Sequence, residues 1–174
     1  ADAVGRLWLW GAAACAYLLL LLGYRSLRAR LQEAGKQAAG STYRGFSPTW
    51  KALVITCLLP LPVVLPLSFL AWRLATPSFV VATAWPTAVG LGYAALFYYL
   101  FDWMRHLCRE HGLAEAHFDW PGTATRCVYR RLQWFVPSGT ILVFLWRAVQ
   151  AAGDERWQNG PGRLLFAALL LLLR

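Results

Sequence analysis

Charge disappears from long stretches of this 174-residue chain and returns in short, mostly basic runs, and that alternation limits the fold more than any other feature. Residues 7–24, 52–72 and 79–101 contain no Lys, Arg, Asp or Glu. Eighteen such residues in a helix rise about 27 Å, close to the roughly 30 Å hydrocarbon core of a bilayer. An amphipathic helix of a soluble domain would instead carry charge every few residues. The composition agrees: 59% hydrophobic and 14% charged residues, against roughly 45–50% and 25% in soluble domains.

Two further apolar blocks complete the pattern. Residues 132–152 contain one charge, Arg147, whose long side chain can reach an interface while its stem stays in lipid. Residues 164–174 hold ten consecutive apolar positions before Arg174, about 15 Å of helix, and read as a helix cut in mid-membrane. The expected fold class is all-α: a polytopic transmembrane bundle of about four full spans plus a truncated fifth. Cytoplasmic loops are expected at 25–51 and 102–131, and residues 1–174 read as the membrane region of a longer protein.

Lys and Arg are distributed unevenly between alternate connections. Arg25, Arg28, Arg30, Lys36, Arg44 and Lys51 follow the first block, and Arg105, Arg109, Arg126, Arg130 and Arg131 follow the third. The other side has Arg6, Arg73, Arg147, Arg156 and Arg163. The positive-inside bias places the richer side in the cytoplasm and the N-terminal end outside. Trp50, Trp72 and Trp103 fall near block ends, where amphipathic rings favour the headgroup level. With Arg25, Arg28, Arg30, Lys51, Arg105, Arg130 and Arg131 they form the expected set of lipid and interface anchors. The net charge of +9 therefore reads as topology and lipid contact. No nucleic-acid motif accompanies the arginines.

Residues 24–40 keep Leu27, Leu31 and Ala34 on one helical face with basic residues around the others, a surface helix or a solvated connector. Ser47-Pro48-Thr49-Trp50 then reads as a helix start, with Ser47 as N-cap and Pro48 in the first turn. Proline punctuates the apolar blocks at Pro60, Pro62, Pro66 and Pro86. Each removes a helix donor, which marks these four as candidate hinges.

The polar run from Arg105 to Trp120 holds the densest chemistry: His106, Cys108, His111, Glu115, His117 and Asp119, with Cys127 beyond. It lacks the paired spacing of a structural zinc site, and no Ser-His-Asp arrangement or phosphate-binding loop occurs. No metal, cofactor, catalytic residue or small-molecule substrate is expected. A small membrane enzyme using His106, His111 and His117 is the least favoured class, after a structural or partner-binding membrane module.

Several motifs carry a resemblance. Tyr43-Arg-Gly-Phe-Ser-Pro-Thr-Trp-Lys-Ala-Leu leads into a Leu-Pro-rich block; Leu107-Cys-Arg precedes Gly112-Leu-Ala-Glu-Ala-His-Phe-Asp-Trp-Pro; Arg130-Arg-Leu and Gly162-Arg-Leu-Leu-Phe follow. Together these resemble the membrane region upstream of the pore in large bacterial mechanosensitive channels of the small-conductance (MscS) superfamily, especially the potassium-dependent type. The resemblance covers residues 25–173 and is most specific over Gly112–Pro121. It implies a multi-pass protein of the bacterial inner membrane with a periplasmic N-terminal end. It also implies a homo-oligomer, heptameric in the family, whose helices convert bilayer tension into opening and ion or osmolyte release on hypo-osmotic shock. The family's Gly/Ala-rich pore helix and mixed-fold vestibule have no counterpart in the sequence.

Overall fold

The computed structural model describes residues 8, 11–12, 14–19, 21–24, 26, 29, 47–76, 83–109, 113–116, 120–153 and 158–172. Among them every regular element is helical and no strand occurs. The helices are α1 (Ala14–Tyr24), α2 (Ser47–Leu58), α3 (Leu61–Ala75), α4 (Ala84–Leu107), α5 (Leu113–Ala116), α6 (Gly122–Ala151) and α7 (Arg163–Leu172). A π-helical turn, Gln158–Gly162, leads into α7.

The apolar block 52–72, expected as one span, is two helices. α2 stops at Leu58 and α3 starts at Leu61, with Pro60 as its N-cap. The cause is local: Pro60 has no N–H to offer Thr56, and Pro62 none to offer Leu58, so two ladder positions out of three are lost. Pro62 falls in the first turn of α3, where a missing donor costs nothing. The Pro60 carbonyl restarts the ladder, accepting from the N–H of Val63 and of Val64 at 3.2 Å.

α4 and α6 also differ from the expected blocks, since both run on into the segment 102–131. α4 continues to Leu107 and is closed by the Cys108 N–H donating to the Met104 carbonyl. α6 begins at Gly122, with the Pro121 carbonyl accepting from Ala124 and Thr125. At thirty residues it rises about 45 Å. Among the described helices it is the one long and apolar enough to cross a membrane by length and composition. α4 is long enough, but its aromatic and charged C-terminal half lowers its hydropathy. α1, α3 and α7 are apolar and shorter.

The core is a row of antiparallel helices in the order α3, α4, α6, α7. α4 and α6 pair along their length: Gly90 meets Phe144 and Ala148, Phe97 meets Gly139, and Phe101 meets Phe135. Two glycines permit this approach. A Cβ on Gly90 would lie 2.8 Å from the Phe144 carbonyl oxygen, and one on Gly139 would lie 2.7 Å from the Phe97 ring. Around them Leu132, Phe135 and Val136 form a buried cluster with Phe97, Tyr98 and Phe101. α7 lies against the C-terminal half of α6, with the Trp146 and Phe166 rings in tilted contact, 5.3 Å between centres.

A second cluster closes one end of the row. Leu59, at the proline break, packs on Leu113 of α5, flanked by Tyr24, Leu53, Ile55 and Leu107. The Trp120 N–H donates to the Ala114 carbonyl at 3.1 Å and ties α5 to the start of α6.

Candidate membrane-facing site

The outward faces of the row are apolar. Val63, Leu65, Leu70 and Trp72 on α3, Leu96, Leu100 and Met104 on α4, and Trp134, Ile141 and Leu145 on α6 are all exposed. The interior carries smaller residues, including Ala71, Ala84, Ala88, Ala94 and Ala95. Small residues that let helices approach, beside large apolar residues on the outer faces, are an arrangement of helices that pack together within lipid.

The expected anchors divide among these surfaces. Trp50 on α2 and Trp72 in the last turn of α3 are exposed. Arg130 and Arg131 stand exposed on the third turn of α6. Trp103 is half-buried, and its indole nitrogen is buried without a hydrogen-bond partner. Lys51 lies in α2 with its side chain outside the described residues, as are Arg25, Arg28 and Arg30 altogether. His111, Gly112, His117 and Asp119 also fall outside them.

Arg105 is drawn into a charged cluster instead of standing free at the surface. Asp102, 2% exposed, pairs with Arg105 one turn on, and the His106 Nε2 lies 3.3 Å from its second carboxylate oxygen. The spacing of three and four residues on one helix makes this possible, and Arg105 and His106 suit the negative end of α4. His106 is thus buried in the bundle and not a loop residue. Neither His106 nitrogen has hydrogen-bond geometry. No group of three metal-ligating side chains occurs among the described residues. Cys108, two residues on, is buried, and burial pushes its thiol above the usual range.

Of the candidate hinges, Pro60 lies at the α2–α3 break and Pro66 inside α3. Pro86 occupies the first turn of α4, as Pro62 does that of α3, so neither interrupts the ladder of the helix in which it lies. A further interruption was not singled out from sequence: Pro137 lies inside α6, at its midpoint. The Ser138 hydroxyl donates to the Trp134 carbonyl at 2.6 Å and the Thr140 hydroxyl to the Val136 carbonyl at 2.6 Å. Hydroxyl bonds of this kind accompany bent helices. The Val-Pro-Ser-Gly-Thr run inside an apolar block was the available signal.

At the opposite end of α6 the Arg147 guanidinium lies 3.7 Å from the centre of the Tyr93 ring, and its Nη1 donates to Gln150 at 3.1 Å. The one charge within the fourth block is therefore held between α4 and α6.

A family model described as "Mechanosensitive ion channel inner membrane domain 1" matches residues 7–174. No curated protein and no solved structure matches the chain.

Proposed function

The chain belongs to the family of mechanosensitive ion channel inner membrane domains, and from that membership we propose that it is the tension-sensing part of a channel that releases ions and osmolytes on hypo-osmotic shock. The observation that carries the reading is the apolar outer face of a helix row whose members differ in length. α3 rises about 22 Å, α4 about 36 Å and α6 about 45 Å, against a hydrocarbon core of roughly 30 Å. Tension thins a bilayer, and a helix too long for its bilayer accommodates by tilting. A conformation with more tilted α4 and α6 then gains lipid contact under tension, and the equilibrium moves toward it.

Three features support a change of tilt. The proline break at Leu59–Pro60 uncouples α2 from α3. Pro66 and Pro137 each remove a ladder bond inside a helix. Trp50, Trp72, Arg130 and Arg131 act as anchors that hold helix ends at the headgroups while the segments between them reorient.

In the proposed topology the chain crosses the inner membrane several times. The end bearing Arg105, Arg109, Arg126, Arg130 and Arg131 faces the cytoplasm, and the N-terminal end faces the periplasm. The assembly is a homo-oligomer, a heptamer of the potassium-dependent type by the sequence resemblance. A module that only binds partners would leave gating unaffected by the helix interruptions.

Patch recordings of the intact channel test the reading. Replacing Pro60, Pro66 and Pro137 together by alanine is expected to raise the opening tension. Unchanged opening tension in a folded, inserted variant would falsify it.

A further inference from the structure

One surface of α6 combines charge and apolarity in an order that anchoring and bending of the helix do not account for. Arg126, Arg130, Trp134, Pro137, Ile141 and Leu145 are all exposed, and their spacing of three or four residues sets them along one face of the helix. The first two are basic and the rest apolar. From Trp134 to Leu145 the helix rises about 17 Å, close to half of the roughly 30 Å hydrocarbon core, or one leaflet.

The basic end opens into a cleft of about 420 Å³ between the end of α4 and the start of α6. Its lining is Cys108, Arg109, Arg126, Tyr129, Arg130 and Gln133. It brings together three guanidinium groups, a phenol and an amide, with no acidic side chain in the lining. The helix dipole adds to the positive potential, since this is the N-terminal end of α6 and its first turn contains no acid. The Glu115 carboxylate, which approaches Gly122 at that end, supplies one negative charge outside the cleft.

We infer that the cleft binds the phosphate of an anionic phospholipid whose acyl chain lies along Trp134, Pro137, Ile141 and Leu145. Guanidinium forks match phosphate oxygens and make charge-assisted hydrogen bonds to them. The phosphate could equally come from a soluble ion. The lipid is favoured because the apolar stripe continues from the cleft for one leaflet, which a soluble phosphate would leave uncovered. The inference rests on the membrane placement of the chain and not on its gating.

Native mass spectrometry of the intact, detergent-purified protein tests it, with dioleoylphosphatidylglycerol and dioleoylphosphatidylcholine as probes. Wild type should bind the anionic lipid more tightly than the zwitterionic one. The triple variant R109Q/R126Q/R130Q should bind phosphatidylglycerol on the order of 100-fold more weakly, at about 1 kcal/mol per arginine. The R109K/R126K/R130K variant should recover most of the binding, which separates lost charge from lost fold. R163Q, at the far end of the row, should bind as wild type does. Equal binding of the two lipids by wild type, or undiminished phosphatidylglycerol binding by the triple glutamine variant, overturns the proposal. Displacement of the lipid by excess inorganic phosphate, with no loss of affinity in Ile141→Asn, would assign the cleft to a soluble anion and overturn it as well. None of these outcomes depends on opening tension, so a failure here is distinct from a failure of the tension reading.

Discussion

The Arg147 guanidinium lies over Tyr93, 3.7 Å from the ring centre, and so joins the late part of α6 to the early part of α4. A cation over an aromatic face contributes about 0.5–2 kcal/mol, more where water is excluded. Tyr93→Leu should therefore lower the thermal midpoint of the detergent-solubilised protein, whereas Tyr93→Phe, which keeps the ring, should leave it close to wild type. Equal losses in the two variants would remove the ring from the account.

Gly90 and Gly139 set the distance between α4 and α6, and the two should not respond alike to alanine. At Gly90 the obstacle is the Phe144 backbone carbonyl, which cannot move without displacing α6; at Gly139 it is the far edge of the Phe97 ring. Gly90→Ala is expected to cost about 1–3 kcal/mol, the usual range for overpacking. Gly139→Ala should cost less. Gly92, where an added Cβ meets nothing within 4 Å, provides the control, and chemical denaturation in detergent ranks the three.

Asp102 depends on its partners. With Arg105 and His106 both replaced by glutamine, a buried carboxylate loses the guanidinium that pairs with it and the imidazole beside it. Removing one side of a fully buried pair costs about 3–5 kcal/mol, and less is expected here because Arg105 is partly exposed. Adding Asp102→Asn to that double variant should restore part of the stability. A further loss on adding it would show that the carboxylate is held by something other than these two residues.

Cys108 and Cys127 should separate by their reaction with a soluble maleimide. Cys127 is exposed, while Cys108 is buried with its thiol pushed above the usual range. Only the thiolate reacts, so a raised pKa leaves less of it at neutral pH. Cys127 should label first near neutrality, and labelling of Cys108 should increase as the pH rises toward its elevated pKa. Mass analysis of Cys127→Ser against Cys108→Ser measures both rates.

Helical class was legible because it depends on long apolar blocks, which need no knowledge of neighbours. Helix ends were not, because they depend on local chemistry that hydropathy averages away. The block 52–72 contains no charge to interrupt it, yet Pro60 and Pro62 together cancel two ladder bonds and divide it. The segment 102–131 reads as a loop because it is charged, but Asp102 lies beside both Arg105 and His106 one turn on, and this gathering of polar groups on one helix face lets α4 continue. Arg147 shows the same limit from the other side. Its position in an apolar block was plain, whereas its partner lies 54 positions earlier in the chain, a proximity that only the α4–α6 pairing creates.

The uneven helix lengths also bear on how the protein is made. α6 is the one described helix long and apolar enough, by length and composition, to cross a membrane. α3 is short, and α4 carries Asp102, Arg105 and His106 near its end, so each is a poor substrate for solitary partitioning. Pairing of α3 with α4 lets the two helices present a larger apolar surface to lipid than either offers alone. These two helices are therefore expected to enter the bilayer as a pair, and to complete their packing when α6 arrives during synthesis and seats Gly139 against Phe97.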